Sequence, residues 1–155
     1  MGLACLVGAP GLGLAAGCGT ANGPPPAACL QGPAAIARAL ARAPAPVTLA
    51  GGERLSQCVD RARSDGDLQS VGAVLTQTAD ALQRQAQAPG LGLRSRAALE
   101  LGYLIGAIER GGQHTAGLTA ELVRRVEQDA GVLDAAPATV IQALRAGLAA
   151  GRATG

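Results

Sequence analysis

Residues 96–110, RAALELGYLIGAIER, are apolar almost all the way round at helical length, and no other stretch constrains the fold as strongly. A helix without a polar face is stable in water only when other elements surround it, so this segment reads as a central, buried helix. Ala98, Gly102 and Gly106 recur every fourth residue and form a row without bulk along which a neighbouring backbone can approach. Leu101, Leu104, Ile105 and Ile108 fill its other sides. The chain holds one Tyr and no Trp or Phe, so its core must be assembled from Ala, Leu, Val and Ile. Such a core favours closely spaced helices over a sandwich or a barrel. The prediction is an all-α, compact bundle of five or six helices.

The other helices follow from apolar periodicity and from Gly and Pro punctuation. Gln31-Gly32-Pro33 opens a helix with Pro in its first turn, where a missing N–H costs nothing, and Ile36, Leu40 and Ala43 form its apolar face. Pro44 and Pro46 end it. Residues 47–49 read as a short extended connector turned by Gly51-Gly52, with Ser56 as N-cap of a short helix through Cys58, Val59 and Ala62. Ser64 or Asp65 can cap the next helix, whose inner positions are Leu68, Val71, Leu75, Thr78, Ala79 and Leu82. Pro89-Gly90 breaks it, and Gly111-Gly112 is expected to stop the central helix that follows. Leu118, Leu122, Val126 and Ala130 mark another helix, with the Glu121 and Arg125 pair on its solvated face. Val140, Ile141, Leu144 and Leu148 mark the last, before fraying is expected over 151–155.

Charge and composition exclude some functions. A net charge of +2 spread over 13 arginines leaves no strong electrostatic footprint, and a chain almost without aromatics has no platform for stacking bases, so no nucleic-acid partner is expected. Gly11-Leu-Gly13-Leu-Ala-Ala16 fits a G-x-G-x-x-A pattern, but a dinucleotide site needs a helix to start there. Three consecutive prolines at 24–26 follow instead, and no cofactor is expected.

Residues 3–16 are uncharged and mostly apolar, and lead into Leu14-Ala15-Ala16-Gly17-Cys18. The run is too short, and too interrupted by Gly8, Pro10, Gly11 and Gly13, for a membrane-spanning helix; it reads as an export signal. Small residues directly before a cysteine resemble the lipobox of bacterial lipoproteins. The nearest Leu stands four rather than three residues before Cys18, and no Arg precedes the apolar run. The resemblance implies cleavage before Cys18, a diacylglyceryl group on its thiol and a membrane partner through that lipid. Cleavage elsewhere with secretion, or retention of the segment, are the alternatives. The domain plan is then a signal over 1–17, a Pro/Gly-rich linker over 18–28, a helical domain over 29–150 and a tail.

In that plan Cys5 leaves with the signal and Cys18 carries lipid, so Cys29 and Cys58 remain as one pair in an exported domain, where a structural disulfide is the expected state. A two-cysteine metal or redox site is the rival, but metal sites need more ligands and redox pairs favour C-x-x-C spacing. His114 is the single histidine; with Thr115, Glu109, Arg110 and Glu121 near it in sequence, it is the one acid–base candidate, set against an exposed loop residue. Glu100 and Glu109 interrupt the apolar helix but stand on nearly opposite faces, and Arg96, one turn before Glu100, is its natural partner. The sequence therefore favours a non-enzymatic interaction or structural module of the cell envelope with a possible protein partner there. The alternatives are a bundle that binds a small molecule or lipid in a Leu- and Val-lined pocket beside the central helix, and an envelope enzyme using His114.

Overall fold

The computed structural model describes residues 23–113 and 118–155. Among them are six α-helices: α1 (Pro33–Leu40), α2 (Ser56–Asp60), α3 (Asp65–Gln87), α4 (Leu91–Gly112), α5 (Leu118–Gly131) and α6 (Ala138–Thr154), preceded by a 3-10 turn at Ala27–Leu30. The all-helical bundle is the expected one. Its only strand-like feature among the described residues is an antiparallel bridge between Thr48 and Arg54, where the chain reverses through Gly51 and Gly52, both at positive φ.

α4 is the central helix. Every residue from 101 to 108 is buried, including Tyr103, Leu104 and Ile108. α3 and α4 form a hairpin closed at Pro89 and Gly90, and Arg94 Nε donates to the Ala86 carbonyl at the end of α3. Ser64 is the cap of α3: Asp67 N–H donates to its Oγ at 3.1 Å. Val71, Leu75, Thr78, Ala79 and Leu82 are buried along α3 as the periodicity requires, with Leu68 half-buried.

The most extensive interface lies between α4 and α6, which run parallel, with α5 making the return. Gly147 and Gly151 on α6, and Gly155 at its C-cap, recur every fourth residue and lie against the α4 backbone. A Cβ on Gly147 would overlap the Leu99 carbonyl and stand 2.9 Å from Tyr103 N; one on Gly102 would overlap the Leu144 carbonyl and stand 2.8 Å from Leu148 N. The backbones therefore interlock, glycines of each helix filling against the main chain of the other. This corrects the expected inner face of α6. Val140 is buried, but Ile141, Leu144 and Leu148 are only half-buried, and Gly147 and Gly151 face the core. Hydropathy marks leucines, whereas a backbone contact selects the residue without a side chain.

The same contact corrects the tail. Residues 151–155 do not fray: α6 continues through Thr154, and Gly155 is buried. Two parallel helices bring their negative C-terminal ends together, which is unfavourable unless donors meet them. Arg110 Nη1 donates to the carbonyls of Arg152 and Ala153 at 2.8 and 2.9 Å, and Ser56 Oγ donates to the Gly155 carbonyl at 2.6 Å. Ser56 is thus not the N-cap of α2; it sits inside that helix and serves α6 instead. α4 ends at Gly112, so the expected stop holds with both glycines inside the last turn. A Cβ on Gly111 would overlap the Ser56 carbonyl, so glycine there is set by the approach of α2.

Cys29 and Cys58 form a disulfide, with Cα atoms 5.6 Å apart and both residues fully buried. Constraining a loop of this length stabilises a fold by about 3 to 4 kcal/mol on chain entropy alone. The bond ties the 3-10 turn to α2. The start of the domain is earlier than expected, because Pro25 and Pro26 are buried and the Pro26 carbonyl accepts from Cys29 N–H at 2.9 Å. The expected signal over 1–17, with Cys5 and the Leu14 to Cys18 motif, lies outside the described residues. No described helix is long and apolar enough to cross a membrane.

Candidate functional site

Ser56, Thr78, Glu100 and Tyr103 are hydrogen-bonded, and the one buried side-chain polar atom without a partner among the described residues is Glu53 Oε2. Glu100 accepts from Arg96 Nε at 2.7 Å, the pairing the sequence suggests, and Arg96 also donates to the carbonyls of Ala43 and Ala41 beyond the end of α1. One guanidinium therefore neutralises the carboxylate inside α4 and docks the turn after α1 on it. Tyr103 Oη accepts from Val47 N–H at 2.9 Å and lies 2.9 Å from Thr154 Oγ1, which donates to the Ala150 carbonyl. The tyrosine proton then goes to Thr154, giving an unbroken relay from the connector through α4 to α6. Thr78 Oγ1 donates to the Val74 carbonyl.

Glu109 does not meet Glu100. It emerges at the end of α4 and is bound by Arg152 through Nε and Nη2, which raises the Arg152 pKa above its ordinary value. Glu121 is exposed and takes hydrogen bonds from Arg124 at 2.7 and 2.8 Å and from Arg125 at 2.8 Å. These donors, Arg124 first, lower its pKa to about 2. His114 and Thr115 lie outside the described residues. Of the groups flanking His114 in sequence, Glu109, Arg110 and Glu121 are all engaged with partners on α6 or α5.

A concavity of about 490 Å³ among the described residues is an open cleft between α3 and α5. Leu68, Gly72, Ala73 and Leu122 form its floor, with Asp65, Glu121 and Arg125 at its rim. It does not adjoin α4, where the sequence reading places a pocket; the concavity that does, about 340 Å³ between the end of α4 and α5, is lined by Glu109, Gln113, Arg124 and Glu127 beside Ala120 and Val123, and not chiefly by leucines and valines. Another concavity, about 300 Å³, lies between α1 and the connector, lined by Gln31, Arg38, Arg42 and Thr48 over a floor of small residues that includes Ala28, Ala35 and Ala39. Among the described residues no group of three or more His, Cys, Asp or Glu side chains is placed to hold a metal ion.

No protein-family model matches the sequence, and no curated protein or solved structure is similar to it. The residues themselves must carry the functional reading. Sequence reasoning missed the Tyr103 relay and the arginine-lined concavity. The first had a signal, since a tyrosine in an apolar helix needs a partner for its hydroxyl.

Proposed function

We propose that this chain is a non-enzymatic helical interaction module of the bacterial cell envelope, held at the membrane by lipid on Cys18. The observation that carries the reading is the fully buried Cys29–Cys58 disulfide, a bond that forms and persists in oxidising, extracytoplasmic compartments. The lipobox-like Leu14 to Cys18 motif supports it, with two acyl chains supplying an anchor that one would not. Ser56 and Tyr103 join separate elements through their hydroxyls, and Thr78 and Glu100 are satisfied within their own helices, which supports a structural rather than a chemical interior.

The test is the intact mass of the protein made in a bacterial host with its own N-terminus, with and without reduction. A chain beginning at Cys18 with a diacylglyceryl adduct, gaining two protons on reduction, is the expected result. A full-length mass with free thiols would overturn both the anchoring and the export. The α3–α5 cleft supports a second reading, a small apolar ligand bound over Leu68, Ala73 and Leu122. Titration with an environment-sensitive apolar dye, repeated with Ala73→Glu, tests it: binding abolished by the substitution supports the cleft, and binding unchanged removes it.

A further inference from the structure

Arg63, Arg96, Arg124, Arg125 and Arg152 each bind a carboxylate, while Arg94 and Arg110 meet carbonyls at helix ends. The other six arginines have no ion pair among the described residues, and two of them, Arg38 and Arg42, line one concavity. Arg38 Nε reaches only the Ala34 carbonyl, at 3.3 Å, and Arg42 Nη1 reaches only the neutral hydroxyl of Thr48, at 3.3 Å. Arg38 and Arg42 stand four residues apart on the edge of the 300 Å³ concavity, with Thr48 across from them. Gln31 and the Thr48 hydroxyl add neutral donors, and the alanine floor leaves room between them.

Cations held together without a counter-charge repel one another, and a bound anion removes that cost. Guanidinium forks match carboxylate and phosphate alike, but two forks beside hydroxyl and amide donors favour the tetrahedral, more highly charged group. We infer that Arg38 and Arg42, with Gln31 and Thr48, form a binding site for a phosphate group, either a phospholipid headgroup or a soluble phosphate. The site is built from described residues and does not depend on lipid at Cys18. The 3-10 turn that supplies Ala28 to its floor directly follows the segment leading from Cys18, so a headgroup would lie within reach of an anchored chain.

The test uses the full chain carrying Cys18→Ser, so that no acyl chain is attached. Binding is measured calorimetrically with inorganic phosphate, and by co-sedimentation with phosphatidylglycerol against phosphatidylcholine vesicles, at fixed ionic strength. Arg38→Gln with Arg42→Gln is compared with Arg84→Gln and Arg145→Gln, which remove the same charge from exposed positions elsewhere. The expected result is an affinity at least about tenfold weaker in the first pair and unchanged in the second. Binding of inorganic phosphate with that dependence identifies a soluble ligand; binding confined to phosphatidylglycerol identifies a headgroup. No binding in either format, insensitivity to the Arg38 and Arg42 changes, or equal weakening by both pairs would overturn the site.

Discussion

The α4–α6 and α3–α5 interfaces both contain glycines, and the two kinds of glycine do opposite things. Between α4 and α6 each glycine faces main chain, so a Cβ at Gly147 has nowhere to go: the Leu99 carbonyl it meets is fixed in a helix that is itself buried. Between α3 and α5, a Cβ at Gly72 would lie 3.8 Å from Leu122 Cδ1, an ordinary contact with the end of a flexible side chain. The first interface is specified by backbone shape; the second is specified by side chains and leaves a cleft. Gly147→Ala is accordingly the most damaging change we expect. The gain in helix propensity of about 1 kcal/mol is outweighed by overpacking against backbone, for a net loss of about 3 kcal/mol and a thermal midpoint lower by roughly 10 °C. A midpoint within a degree or two of the parent would break the account of the α4–α6 contact.

The Tyr103 relay sharpens the same contrast, because it is a polar link in the backbone-tight half of the molecule. Tyr103→Phe keeps the ring and removes the oxygen that accepts from Val47 N–H, leaving a buried donor without its partner. The expected cost is about 1 to 3 kcal/mol. Amide exchange at Val47 should accelerate in the variant; unchanged exchange would show that the hydroxyl does not hold the connector.

Much of this was legible in the sequence, and the exceptions share a cause. The central helix could be read because an apolar surface on all sides allows only burial. The Glu100–Arg96 pair and the Ser64 cap are local patterns, fixed by one turn of helix. The disulfide could be read because the expected export would leave Cys29 and Cys58 as a pair. Gly147, Gly151 and Gly155 could not be ranked above Leu144 and Leu148, since glycine carries no hydropathy signal and its role appears only when the partner helix is present. Arg152 and Glu109, 43 residues apart, meet only because α4 and α6 run parallel. Arg38, Arg42 and Thr48 line one concavity only because the connector folds back beside the end of α1.

On the side-chain-built interface the sign should reverse. Gly72→Ala adds a methyl where the nearest heavy atom can yield and relieves the entropic cost of a glycine inside α3, so stability should rise by about 0.5 to 1 kcal/mol. Combined with Gly147→Ala, the two effects should add, since the sites lie on different interfaces. A destabilised Gly72→Ala protein would mean that α5 lies closer to α3 than a side-chain contact allows.

The smallest effect belongs to Glu121, at the rim of the cleft. Its pKa of about 2 lies below the ordinary 4.5, so its pairing with Arg124 and Arg125 contributes stability that is present above pH 4.5 and is lost as pH falls through 2. The group is fully exposed and solvent screens the pair, so protonation should shift the local structure of α5 far more than the global midpoint. A carboxyl-carbon NMR titration should place the Glu121 midpoint near 2, returning towards the ordinary carboxylate range in Arg124→Gln. If acidification between 4.5 and 2 instead lowered the midpoint of the whole domain as steeply in Glu121→Gln as in the parent, the acid sensitivity would belong to other carboxylates.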